Sequence, residues 1–401
     1  MRPPSQHSKT PIPKTPKRGP APQAASRRAL VPTLLLVTAA ALGFTAWNWH
    51  QSSRPGAAHL QAGRAAAAAH QDAVAEQEWR QGTQEDPGFA DNYAQLGDLY
   101  LSRQRFKEAA AAYQAASKLT PEDSTLFLRL HRAELGARDP QAALGAIRRA
   151  SELRPDDPDA AGLYGLLAAR MQNRPEALSA LQRAHQLKPE DADYALELAR
   201  QEMDSLDMAG AERDLTAFLK TNPGSGEANR LLALLYKQKP PTPENIRAAL
   251  ELADRARAAL PDSPDVYLLL GQLRLSAGQT AGALRAFQTA RTFNPNAQEI
   301  LSGLVTCYTR LHDTARAAAT AAELQTLTAQ RDLLEHLKTA VKRNPADNAS
   351  RLALARMEEE SGDLPSAASY YLEAARHAPS DSKAQSALAA FYARHRRQIL
   401  P

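Results

Sequence analysis

A proline recurs at a fixed interval along this chain, and no other feature of the sequence constrains its fold as tightly. Pro87, Pro121, Pro155, Pro189 and Pro223 lie 34 residues apart; Pro261 follows after four extra residues and Pro295 after the regular interval, and Pro345 and Pro379 resume it beyond a larger insertion. An alanine twelve residues upstream keeps pace as Ala109, Ala143, Ala177, Ala211, Ala249, Ala283 and Ala367. In the best-formed period, Tyr93, Leu96, Gly97 and Tyr100 stand at i, i+3, i+4 and i+7, one face of a helix, and Ala109, Tyr113 and Ala116 do the same for a second helix. Gly97 and Ala109 are small where two helices must approach, the tyrosines fill the space beside them, and Pro121 stops the second helix before the caps offered by Glu122, Asp123 and Ser124. One hairpin of this size cannot bury its own apolar stripe, so successive hairpins have to stack.

These residues resemble the tetratricopeptide repeat, a helix-turn-helix unit with an aromatic, a Leu-Gly pair, a Tyr, two small residues around an aromatic, and a closing Pro. The resemblance is close for Tyr93 to Pro121 and for Tyr267, Leu270, Gly271, Ala283, Phe287, Ala290 and Pro295. It is looser where His131, Ala199 and Ala233 replace the glycine; a histidine there is expected to force its helices apart or to turn outward. The resemblance implies an all-α, right-handed superhelical solenoid of about eight units over residues 90–381. A degenerate repeat or cap precedes it over 58–89, where Ala75 and Trp79 fit the small and aromatic places. A capping helix over 382–401, with Leu388, Ala389 and Tyr392, follows. Insertions fall near 239–244, where prolines predict a longer loop, and near 328–343. From Asp313 to Arg343 there is no Gly or Pro, so one helix of about 30 residues is expected. Its seam of Leu324, Leu327, Leu333, Leu334, Leu337 and Val341 packs on the next unit or, alternatively, projects for self-association.

The formal charge of +5 is misleading about the repeats. Residues 1–28 hold seven of the 49 basic residues and no acid, leaving 42 against 44 acidic residues, a net of −2 for the remainder. That balance gives no reason to expect nucleic acid as a partner. The basic, proline-rich tail has almost nothing to bury and is expected to be disordered. Ala29 to Trp47 carries no charge, and as a helix it would span about 28 Å, close to the roughly 30 Å of bilayer hydrocarbon. Residues 29–49 are therefore expected to form one transmembrane signal-anchor helix ahead of a linker at 50–57. Arg27 and Arg28 before the span place the N-terminus in the cytoplasm and the repeats outside it, in the periplasm of a bacterium. A cleaved signal peptide, a twin-arginine export signal at Ser26 to Leu30 and a buried helix are the alternatives.

Motifs for catalysis are missing. There is no phosphate-binding glycine loop, no His-Glu-x-x-His and no Gly-x-Ser-x-Gly, so no enzyme activity, cofactor or metal is expected. Cys307 is the only cysteine, which excludes an intrachain disulfide and reads as a packed thiol. Binding remains. The resemblance implies that the first helix of each hairpin lines a concave groove for a protein or peptide. The residues expected to face it are Asp98, Leu101, Leu128, Arg132, Leu135, Leu166, Leu196, Arg200, Arg230, Leu234, Lys237, Leu268, Gln272 and Leu275. The resemblance implies that relatives which grip a C-terminal carboxylate use Lys and Asn on successive helices; Ala94 and Asp98 stand there in the best-matched unit, so that clamp is absent. A leucine-lined groove with arginines at its rim suits an amphipathic helix or a partly unfolded chain. The expected function is a membrane-anchored interaction scaffold in assembly of a cell-envelope complex. A chaperone-like holder of exported clients and a regulatory or repeat region associated with a glycosyltransferase are the alternatives.

Overall fold

The computed structural model describes residues 54–399, and these contain nineteen α-helices and no strand. They divide into two compact units, which meet in sequence after Leu153. The first holds three hairpins: α1 (Pro55–Ala68) with α2 (Asp72–Glu85), α3 (Ala90–Ser102) with α4 (Phe106–Leu119), and α5 (Ser124–Gly136) with α6 (Pro140–Leu153).

The second unit continues the alternation. It runs α7 (Pro158–Arg170), α8 (Arg174–Leu187), α9 (Ala192–Asp204), α10 (Met208–Thr221), α11 (Gly226–Gln238), α12 (Pro243–Ala259), α13 (Pro264–Ser276), α14 (Thr280–Phe293), α15 (Gln298–Arg310), α16 (Thr314–Arg343), α17 (Asn348–Ser361) and α18 (Leu364–His377). A last helix, α19 (Ser382–Ile399), packs on α18. Each unit is thus a stack of helical hairpins in which every helix packs on its hairpin partner and, within the unit, the second helix of one hairpin packs on the first helix of the next.

The recurring residues explain the stacking. A Cβ on Gly97 would lie 2.5 Å from the Tyr113 ring, and one on Gly271 would lie 2.6 Å from Phe287, so the glycine lets a buried aromatic lie against the backbone of the first helix. Ala109, Tyr113 and Ala116 are fully buried, as are Ala283 and Ala290 in the later hairpin. After the closing proline, Asp123, Asp157 and Asp191 cap the next helix by accepting backbone N–H bonds. Within hairpins the turn is left-handed: His70, Gln104, Arg138, Gln172, Leu206 and His312 have φ between 58° and 64°, and Gly278 and Gly362 take the same place.

Three expectations are corrected. No helix among the described residues is long and apolar enough to cross a membrane. Most have 13 or 14 residues, about 20 Å, and the 30-residue α16 carries charges along its length. The single-pass topology, with its cytoplasmic N-terminus and extracytoplasmic repeats, is therefore not retained; residues 29–49, where the span was placed, lie outside the described residues, as does the basic tail. His131 does not turn outward: it is 6% exposed and its Nδ1 sits 3.0 Å from the Ala143 carbonyl oxygen on α6. The insertion near 239–244 adds mostly helix. Pro243 occupies the first turn of α12, which has 17 residues where α10 and α14 have 14.

Candidate peptide-binding face

In the second unit, α7, α9, α11, α13 and α15 are the first helices of their hairpins, and each touches the next in that series. Their common face is built by residues that the core-facing stripe leaves over. Between α7 and α9 it deepens into a cavity of about 560 Å³ lined by Leu166, Ala169 and Arg170 from one helix and Asp193, Leu196, Glu197 and Arg200 from the other. Leu166 and Leu196 form an apolar floor, each half-buried against the hairpins beneath. The charged groups stand at the rim.

Beyond the cavity, one carboxylate ties the face together. Glu227, on the first turn of α11, accepts from Arg230 Nε at 2.7 Å and from Arg200 Nη2 at 2.7 Å, and Arg200 also donates to Glu197 at 3.2 Å. The Arg230 hydrogen bond, with help from Arg200, holds the Glu227 carboxyl down to about 2. Two arginines predicted to greet a ligand therefore share the Glu227 carboxylate, which fixes their geometry, and the Arg200 side chain remains 42% exposed. Lys237, at the far end of α11, is an exposed residue whose pKa is lowered by desolvation.

The remaining predicted residues divide by hairpin. Leu234 packs against the cluster around Ala253 and Leu270, and Leu268 and Leu275 against the cluster around Phe287 and Ile300, all half-buried. Gln272 lies between the latter two on α13, also half-buried. In the first unit, Asp98 accepts from Tyr113 Oη at 2.7 Å and from Arg129 at 2.9 Å, a brace between α3 and α5. Leu101 packs on the core cluster there; Leu128 is half-buried, and Arg132 and Leu135 are exposed.

Sequence reasoning missed several groups. Arg170, Asp193 and Glu197 line the cavity, and Glu227 organises its edge; a signal was present in the acidic residue that opens successive first helices as Asp159, Asp193, Glu227, Asp265 and Glu299. It also missed a second cavity of about 580 Å³ between α17, α18 and α19, lined by Arg356, Glu359, Tyr371, Arg394 and His395 among others. There Arg394 first, then His395 and Tyr371, hold Glu359 down to about 2, while burial and that carboxylate push Tyr371 up to about 12.

The tetratricopeptide repeat family model matches residues 128–195, 244–298, 268–332 and 334–384, and a second model of the same repeat matches 90–123. More than half of the chain is covered, and the chain belongs to the tetratricopeptide repeat family. Among solved structures, YrrB, described as a tetratricopeptide repeat protein with an unusual peptide-binding site, is 21% identical. It covers 50% of this chain and 97% of its own, with a TM-score of 0.41. PilF of Pseudomonas aeruginosa is 19% identical over 53% of this chain and 95% of its own, with a TM-score of 0.43. The Naa15/Naa10 complex bound to HypK is 14% identical over 85% of this chain and 66% of its own, with a TM-score of 0.46. No curated protein matches the sequence.

Proposed function

We propose that this protein is a non-catalytic interaction scaffold that holds a peptide or amphipathic helix of a partner protein along the first-helix face of its second unit. The observation that carries the reading is the cavity between α7 and α9, where two leucines form the floor and Arg170, Arg200, Asp193 and Glu197 stand above it. A helix laid there buries apolar side chains on Leu166 and Leu196 and meets charge of both signs at the rim. Residues 230, 234, 237, 268, 272 and 275 extend the same face toward α13. In the first unit the corresponding face carries Asp98, Leu101, Leu128, Arg132 and Leu135.

A peptide array probed with the purified chain tests this. Leu196→Asp and Arg170→Glu are expected to abolish array binding while the helical circular dichroism is retained; undiminished binding by both folded variants overturns the reading. A second reading, a holder of unfolded clients, draws on the recurrence of half-exposed leucines along the face. It predicts binding to many unrelated apolar peptides rather than to one sequence class. Self-association through α16 is a further part of the proposal, supported by Leu333, which is 50% exposed; Leu333→Lys is expected to shift a dimer to monomer in sedimentation.

A further inference from the structure

The hairpin that supplies half of the cavity carries a buried acid with nothing to hold it. Glu202 on α9 is 1% exposed, and no hydrogen-bond donor reaches either carboxyl oxygen. It points at the start of α10, where Asp207 caps the helix by accepting from the Gly210 N–H at 2.9 Å. A Cβ on Gly210 would lie 2.5 Å from Asp207 Oδ2 and 3.1 Å from Glu202 Oε1, so the glycine is what lets these carboxyl groups crowd together. Asp214, one turn further along α10, has a side chain only 15% exposed and is itself tied to Arg213 at 2.8 Å.

We propose that Glu202 is a proton-operated latch: protonated, it closes the α9–α10 hairpin, and ionised, it loosens that hairpin and with it the α9 side of the peptide-binding face. The chemistry follows from the surroundings. A protonated carboxyl has one hydrogen to give, and Asp214 is placed to accept it; an ionised carboxyl at the same place has no donor and faces two further carboxylates. Burial first, then Asp214 and Asp207, push the Glu202 carboxyl up to about 7, with Arg213 opposing. The other helices packed against α9 bring Asp159 and Arg170 on α7, Arg183 and His185 on α8, and Glu227, Arg230 and Lys237 on α11. None of these acts on the carboxyl as strongly as Asp214 and Asp207.

The sign is definite. An unfolded Glu titrates near 4.5 and this one near 7 when folded, so the fold holds the extra proton between those values. Hairpin stability from this group is complete below the lower value and is lost as pH rises through the upper one. Leu196, Glu197 and Arg200 ride on the same helix, so a looser α9 disturbs the cavity. This consequence rests on the peptide-binding reading above; the titration itself does not.

Hydrogen exchange of the full chain, corrected for intrinsic pH dependence and followed over residues 192–221, tests the latch. Exchange at pH 8 is expected to be about tenfold faster than at pH 6 in the natural protein, and equal at the two pH values in Glu202→Gln. A flat natural profile, or the same rise in the Gln variant, overturns it. Should the Gln variant exchange faster already at pH 6, a carbon-13 carboxyl titration of the natural protein decides. A Glu202 midpoint near 7 sustains the latch, and one near 4.5 refutes it. Either negative result leaves peptide-array binding free to succeed or fail on its own.

Discussion

Two hairpins, α5–α6 in the first unit and α9–α10 in the second, place a glutamate at the same point of the repeat, 21 residues before the closing proline. Both are buried: Glu134 is 5% exposed and Glu202 is 1%. Glu134 accepts from Gln114 Nε2 at 2.6 Å, a donor supplied by α4, the helix before its hairpin. Glu202 has no such donor and looks instead at the acids of its own α10. Three residues earlier, one helical turn back, they differ again. Buried His131 bonds the Ala143 carbonyl, whereas Ala199 packs without polar atoms. The same slot in the same fold can therefore hold a satisfied polar group or a titratable one, even though Gln182 stands on α8 where Gln114 stands on α4.

The largest expected effect concerns the unsatisfied member of the pair. At pH 8, Glu202→Gln should stabilise its hairpin by about 2 kcal/mol, with little gain at pH 5, as read by thermal melts at both pH values. Glu134→Gln should bring no comparable gain. Next, Gln114→Leu should convert Glu134 into a second orphan and cost about 1–2 kcal/mol in urea unfolding. An unchanged midpoint would mean that water replaces the amide and that Glu134 does not depend on Gln114.

His131 gives the opposite pH response. Burial holds its pKa below the ordinary histidine range, with the Ala143 carbonyl opposing. A depressed folded pKa on a base means that stability is present above about pH 6.5 and falls on acidification, so exchange over 124–153 should quicken toward acid while that over 192–221 slows. His131→Gln should flatten the first trend alone. The smallest effect is in the turns. Arg138 and Leu206 share φ of 64°, and Leu206 is 80% exposed. Leu206→Gly should raise stability by about 0.5–1 kcal/mol by relieving a left-handed side chain. A loss instead would show that the leucine makes contacts that outweigh the strain.

The repeat was legible because its determinants are local and periodic. Proline spacing located the hairpins, Gly97 and Tyr113 announced their own contact, and the run without Gly or Pro foretold the unbroken α16. Other features were hidden for physical reasons. Non-glycine residues in left-handed turns leave no compositional mark, since the stacked hairpins impose a conformation the side chain does not favour. His131 was judged on bulk, while a hydrogen bond across the hairpin settled its direction. Pro240, Pro241 and Pro243 point to a loop from sequence, although proline also opens helices, as Pro243 does here. The face residues were only partly legible. Helical spacing set which side chains are not core, but whether a leucine is floor or filler depends on the next hairpin, as Leu166 and Leu196 show. That Arg200 and Arg230 converge on Glu227 could not be seen without the stack.

The binding face itself is tested most directly by comparing the two sides of one hairpin. A photo-cross-linking residue replaces Leu196 on α9 or, as control, exposed Thr216 on α10, and the products formed in the native cell are identified. The account predicts a partner peptide joined through position 196 and not through 216. Cross-links confined to position 216 would place the partner on the second helices and contradict it.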